Sequence, residues 1–333
     1  MSRIFRSEAV KPGDRVVVRR QRGDHASDVI GHVIALDPLV VRPQAVGGLP
    51  SQAPAIEITE PHIVRRLSPR TVRNSGIRAI ETASAKAFPG SEHLLIDGWL
   101  ARTSTEPAPR SNSATPIGHS AGFAPVPLAP LAAFYAERGA PLQLLVPERI
   151  GKPAQRLVDA APGKWRLGGE LLVMSVELAE GAFDADPRVV LDEVPHPQWL
   201  AMCRYRGQDL SPAEARDLVR PIDGQLRFAR LVQDSGAGAG ASSEPETAAV
   251  ARVAVTTSED GRAWLGISAV EVGEKWRRQA NGSKLVESIL AWGAAAGVDA
   301  AYLQVQAANE AAVAMYSKLG FVEHHRHRYA RLG

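Results

Sequence analysis

Between residues 10 and 67 the apolar positions fall in short runs: "DRVVVRR", "SDVIGHVIAL", "PLVVRP", "AIEIT" and "HIVRRL". Pro, Gly and Asp clusters separate them, and none carries a helical period. Such a pattern predicts a small all-β barrel over residues 1–68. Barrels of this kind bind peptides or nucleic acids, or pack against a neighbouring domain, and the plainness of these runs favours packing. From residue 71 the period changes. In "TVRNSGIRAIETASAKAF" Ile77, Ile80, Ala83 and Ala87 recur at helical spacing, with Phe88 beside the last.

The rest of the chain reads as one plan used twice. "HLLIDGWLAR" is a strand-like run, followed by a loop-rich stretch. "LAAFYAERGAPLQLLV" reads as helix, glycine stop and buried strand, "KPAQRLVDAA" as a helix and "GELLVMSVEL" as a strand. The last third does the same with "VESILAWGAAAGVDAAYLQV", the helix "NEAAVAMYSKLG" and the strand "FVEHHRHRYAR". The match of "FYAERGAPLQLLV" to "WGAAAGVDAAYLQV" points to an internal duplication. We therefore expect two α+β halves, at 70–182 and 186–333, joined near 181–188. Residues 233–249, "QDSGAGAGASSEPETAA", are expected to be a flexible loop without a catalytic role.

Composition narrows the partners. A net charge of +3 is too mild to argue for nucleic acid, whose binding rests on many phosphate contacts. The single cysteine, Cys203, excludes an intramolecular disulfide and fits a reducing compartment. "MSRIFRSEAVKPGDR" has no apolar signal core, and no apolar run approaches the ~18 residues of a membrane span. A cytoplasmic protein with no membrane partner is the expectation.

The stretch with the most chemistry is "GEKWRRQANGSKLVESILAWGAAA", after the continuous apolar strand "AWLGISAVEV". A glycine-bearing turn that feeds a helix aims unpaired backbone N–H groups and the positive dipole end at one point. That point suits a pyrophosphate, and Arg277 and Arg278 add charge-assisted contacts. By itself a basic helix start is a weak signal.

Its neighbours strengthen it. The segment resembles the GNAT family of acetyl-CoA-dependent N-acetyltransferases, whose signature Q/R-x-x-G-x-G/A follows the fourth strand. Arg277, Ala280 and Gly282 stand at the matching positions, and "AANEAAVAMYSKLGF" is similar to the family's second marker. The resemblance covers 188–333. Residues 72–180 look like a degenerate copy that lacks the signature, a lobe expected to shape the acceptor cleft. Barrel, silent lobe and active lobe together resemble an actinobacterial subgroup, some of whose members are assigned as N-acetylglutamate synthases and others as protein acetyltransferases. The implied fold is therefore α+β, a tandem GNAT arrangement behind a small barrel.

The resemblance also implies roles. Val270 and Val272 would pair with the pantetheine arm of acetyl-CoA. Arg277, Arg278, Gln279, Ala280, Asn281, Gly282 and Ser283 would hold its pyrophosphate. Asn309 would cap a helix and meet the cofactor arm, or only cap it. Tyr316 matches the general acid by position, or else caps the core beside Leu319 and Phe321. The general base is open: Gly266 stands where many relatives carry glutamate, and Glu271 is the candidate on that strand, its facing undecided because strand side chains alternate.

Ala280 departs from the signature. A left-handed backbone there would cost alanine about 1–2 kcal/mol, and Asn281 offers relief as an N-cap. Cys203, on a predicted helix, reads as a structural thiol. Glu323, His325 and His327 alternate along one strand, but without a further ligand at a recognised spacing they read as solvated edge-strand side chains, and no metal is expected.

The acceptor is least legible. A carboxylate-bearing amine such as glutamate needs an arginine, with Arg110 and Arg204 or Arg206 the candidates. The implied reaction is direct acetyl transfer to a small-molecule amine or amino acid, with amino-acid biosynthesis as its setting. A protein acetyltransferase and a non-catalytic acetyl-CoA-binding protein are the alternatives.

Overall fold

The computed structural model describes residues 9–22, 25–59, 61–69, 71–104, 108–205, 208–209, 211–233 and 245–333. Strands β1 (Arg15–Arg22), β2 (His25–Leu36), β3 (Leu39–Pro43), β4 (Ile56–Ile58) and β5 (Pro61–Arg66) stand where the apolar runs predict them. They form one antiparallel sheet in the order β4-β3-β2-β1-β5. The sheet is open, not the closed barrel expected: β4 and β5 lie at opposite ends, and three-residue β4 is too short to carry a ladder round to β5. Alternation gathers Val16, Val18, Val29, Val33, Val41 and Ile58 into a small core of their own.

The first half then runs α1 (Asn74–Ala87), β6 (Glu92–Ile96), β7 (Trp99–Thr103), β8 (Thr115–Pro116), α2 (Leu128–Ala136), β9 (Gln143–Pro147), α3 (Lys152–Ala160), β10 (Trp165–Leu167) and β11 (Leu171–Glu177). "HLLIDGWLAR" is a hairpin and not a single strand. Asp97 and Gly98 both take positive φ, 45° and 85°, the conformation a tight two-residue turn demands.

The second half runs β12 (Val189–Asp192), α4 (Pro197–Met202), β13 (Arg204–Tyr205), β14 (Gln208–Asp209), α5 (Pro212–Leu218), β15 (Gln225–Gln233), β16 (Glu246–Thr257), β17 (Ala263–Val272), α6 (Asn281–Ala295), β18 (Ala300–Gln306), α7 (Glu310–Lys318) and β19 (Val322–Leu332). The expected loop at 233–249 is shorter than its composition implies, because β16 begins at Glu246; residues 234–244 lie outside the described residues. The repeat is visible in detail: α2 leads to β9, and α6 to β18, through the left-handed glycines Gly139 and Gly297.

One nine-stranded sheet unites the halves, in the order β10-β19-β11-β18-β17-β16-β15-β12, with β9 also paired to β19. β11 of the first half lies antiparallel between β18 and β19 of the second. The C-terminal part of β19 in turn pairs with β9 and β10. Each half thus lends a strand to the other, and Leu172 and Met174 of β11 join Leu265, Leu303 and Phe321 in the largest core.

Helix α1 covers one face, packing Ile80 and Ala83 on Trp264 and Tyr302. The other face is covered by α6 and α7, through Leu285, Ile289 and Tyr316. Among the described residues no helix is long and apolar enough to cross a membrane.

Candidate active site

The site begins where two strands part. β17 and β18 run parallel and paired only over Trp264–Ile267 and Ala300–Leu303. Beyond that point β17 stays with β16 and β18 with β11, so the sheet opens into a V. A bulge lies in the diverging part of β17: Arg252 faces Ser268, but Val250 faces Glu271, and the extra residue is absorbed near Ala269 at φ 49°.

The bulge decides where Glu271 points. Uninterrupted alternation from Ser268 would turn Glu271 toward α6. With one residue absorbed, Glu271 shares a face with Val250, which packs beside Trp199 and Cys203 of the α4 region. Val270 and Val272 then turn to the α6 side. Burial raises the pKa of the Glu271 carboxyl, partly offset by Arg277 and Arg204.

The loop from β17 to α6 is built around two left-handed residues, Arg278 at φ 60° and Ala280 at φ 59°. Ala280 is the N-cap residue and has no side-chain acceptor, so the first-turn N–H groups of α6 are not capped by it. Asn281 is not the N-cap expected of it; it sits one position inside the helix. There it is buried, donates to the Trp276 carbonyl at 2.9 Å and accepts from Gln233 at 3.3 Å, tying the loop shut.

Gly282 also has a packing reason. A Cβ there would stand 3.3 Å from both Met315 Sδ and Val272 Cγ2, so the glycine lets α6 seat against its protein neighbours. Arg277 donates to the Val272 carbonyl at 3.3 Å, Gln279 donates to the Lys275 carbonyl at 3.0 Å, and both are exposed. Ser283 is half-buried in the first turn of α6. Asn309 caps α7, accepting from Ala312 N at 3.2 Å. The open V, the uncapped helix start and the exposed arginines fit a thioester cofactor with a pyrophosphate.

Tyr316 reaches the V from α7. Burial pushes its phenol up to about 12, with Arg110 lowering it and Glu271 raising it. Arg110 lines a small cleft with Phe88, Gly266, Ser268 and Tyr302. Its guanidinium lies 5.4 Å from the Phe88 ring, and that of Arg252 lies 4.3 Å from the same ring. Arg204 is on β13, after helix α4, is exposed, and its charge lowers the Glu271 pKa. Arg206 lies outside the described residues.

Arg252, Phe88 and Tyr302 were not among the expected site residues. Arg252 is buried, donates to the carbonyls of Leu218 and Ala87 at 2.7 and 2.8 Å, and leaves Nη1 without a partner among the described residues. Burial lowers it to about 10, Tyr302 raising it and Arg110 lowering it further. The signal in the sequence was a lone arginine inside "AAVARVAV", a strand otherwise apolar on both faces. Tyr302 explains the missing glutamate: a Cβ on Gly266 would stand 2.6 Å from the Tyr302 hydroxyl oxygen. Burial raises the Tyr302 pKa, with Arg252 and Arg110 lowering it in part.

Cys203 and the β19 residues Glu323, His325 and His327 stand apart from this cleft. Cys203 follows α4, is buried, and burial followed by Glu271 pushes its thiol up to about 12, a structural thiol. The histidines of β19 are a correction. β19 is interior to the sheet, and His325 and His327 are 1% and 0% exposed, not solvated. Glu323 does not share their face. A register shift opposite Val173 and Met174 turns it away, and it pairs with Arg326 at 2.9 Å.

Comparison with known proteins agrees with this geometry. Residues 74–330 match the family described as "Probable histone acetyltransferase Rv0428c C-terminal". The probable histone acetyltransferase Rv0428c of Mycobacterium tuberculosis (strain ATCC 25618 / H37Rv) is 32% identical over 327 residues, 95% of this chain and 94% of that protein. A GCN5-related N-acetyltransferase from Kribbella flavida superposes with a TM-score of 0.54 at 14% identity, over 77% of this chain and 95% of that one, a likeness of fold. Fold and site define an N-acetyltransferase of the GNAT class. The chain belongs to the family of the Rv0428c C-terminal domain.

Proposed function

We propose that this enzyme moves the acetyl group of acetyl-CoA directly onto the amine of a small acceptor that bears a carboxylate, with L-glutamate or another free amino acid foremost. The observation that carries the acceptor class is the Arg110 guanidinium in the cleft, sharing the Phe88 ring with Arg252. Two guanidiniums beside one ring repel a lysine ammonium and attract a carboxylate. On this reading the chain stands with the N-acetylglutamate synthase-like subgroup and acts in amino-acid biosynthesis.

Acetyl-CoA supplies an activated acyl carbon and a thiolate leaving group. Backbone groups of Val270 and Val272 in the splayed part of β17 hold the pantetheine arm and polarise the acyl oxygen. The first-turn N–H groups of Asn281, Gly282 and Ser283 hold the pyrophosphate, with Arg277, Arg278 and Gln279 beside them. Asn309 holds α7 in place below the arm. Glu271 takes the proton of the acceptor ammonium, through a water molecule. As the new N–C bond forms and the C–S bond breaks, Tyr316 gives its proton to the departing thiolate, and the surplus proton of the acylated nitrogen passes back to the phenolate. A phenol held at about 12 is protonated at neutral pH and has that proton to give.

A second reading, acetylation of a protein lysine or N-terminus, rests on the name of the mycobacterial relative. A thiol-release screen of acetyl-CoA against single amino acids and basic peptides separates the two. Release with a free amino acid is expected; release with peptides alone overturns the first reading in favour of the second.

A further inference from the structure

Away from the cleft, one buried carboxylate has imidazoles for partners. Glu81 of α1 is 1% exposed, and its Oε1 lies 2.9 Å from His325 Nε2 and 2.7 Å from His327 Nδ1 of β19. These residues are 244 and 246 positions apart in sequence, and their three ligand atoms lie within 4.8 Å of one another. The nearby cation, Arg102, donates instead to the carbonyls of Ala85 and Phe88 and to the hydroxyls of Ser113 and Thr115. A buried carboxylate of this kind needs a cation.

We propose that Glu81, His325 and His327 form a binding site for a divalent first-row transition ion of the zinc class, joining α1 to β19. Two imidazole nitrogens and one carboxylate oxygen are a ligand set such ions take at about 2.0–2.2 Å. At tetrahedral angles an ion on both nitrogens holds them about 3.4 Å apart, so the two rings must close by up to roughly 1.4 Å from their present spacing of within 4.8 Å to complete the site.

The neighbouring ring is placed to support it. His325 Nδ1 lies 2.8 Å from His324 Nδ1, so when Nε2 of His325 turns its lone pair to a metal, its Nδ1–H donates to His324. His327 shifts its proton to Nε2 in the same way, so both rings become ligands while remaining neutral. His324 and His325 also line a groove between β5 and α3. The ion would staple the first half of the chain to its last strand, where the two halves exchange strands.

The test uses the full chain without a histidine tag, dialysed against a chelator and titrated with Co(II) and Zn(II). Visible Co(II) ligand-field bands saturating at one equivalent are expected, with Zn(II) raising Tm by about 5–10 °C. Both effects should disappear in Glu81→Gln and in His327→Gln. Absence of Co(II) bands together with a Tm that Zn(II) does not move in the parent protein overturns the proposal, whatever the variants do. Bands that persist undiminished in a folded His325→Gln/His327→Gln variant overturn it as well.

Discussion

The hydroxyl of Tyr302 occupies the space above Gly266: any Cβ at 266 would lie 2.6 Å from the phenol oxygen and 2.8 Å from the ring carbon that carries it. Tyr302 is buried and stacks edge-on with Trp264, so it has nowhere to go. Overpacking of this kind costs about 1–3 kcal/mol. Gly266→Ala is therefore expected to lower stability by that amount in denaturant titration. Gly266→Glu should destabilise further and should not create a better base.

Tyr316→Phe removes only the phenol proton. Turnover is expected to fall by about 10²–10⁴-fold. Acetyl-CoA affinity by calorimetry should stay near that of the parent, because the ring still packs on Phe321 at 5.9 Å. A near-normal kcat would remove the acid role and leave Tyr316 a core residue.

Glu271 gives a pH signature. Its pKa is raised by burial, so the folded protein holds this proton to higher pH than the unfolded chain. In that window the unfolded state binds fewer protons, and stability falls as pH rises. Glu271→Gln should therefore match the parent below the ordinary carboxylate range and exceed it above, in melts run across pH. The acid limb of kcat/KM should lie above the ordinary carboxylate range in the parent and vanish in the variant.

Much of this could be read from the chain, and the failures have physical causes. The strands of the first sheet, the repeated helix–glycine–strand units and the loop at Arg277–Gly282 follow from periodicity and turn residues, which are local. Strand exchange between the halves is not local, so β19 looked like an edge with wet histidines when it is buried on both sides. Two bulges also defeated alternation. One, near Ala269, brings Glu271 to the face of Val250; the other, beside His325, sends Glu323 away from the histidines. A single extra residue reverses every inference of facing beyond it.

Ala280 holds φ 59° without a glycine's freedom. Ala280→Gly should stabilise the protein by about 1 kcal/mol and bind acetyl-CoA equally or more tightly. Clearly weaker binding of the glycine variant in calorimetry would mean that the methyl group takes part in holding the cofactor.

The acceptor class is tested most directly by thiol release from acetyl-CoA with free amino acids and with the same amino acids amidated at the carboxyl, using the parent and Arg110→Ala. Losing a charged hydrogen bond costs about 1.5–3 kcal/mol, or roughly 10–100-fold. The parent is predicted to prefer the free acid by that factor, and Arg110→Ala to lose the preference through a raised KM. Equal rates for acid and amide, or release with lysine peptides alone, would contradict a carboxylate-bearing acceptor.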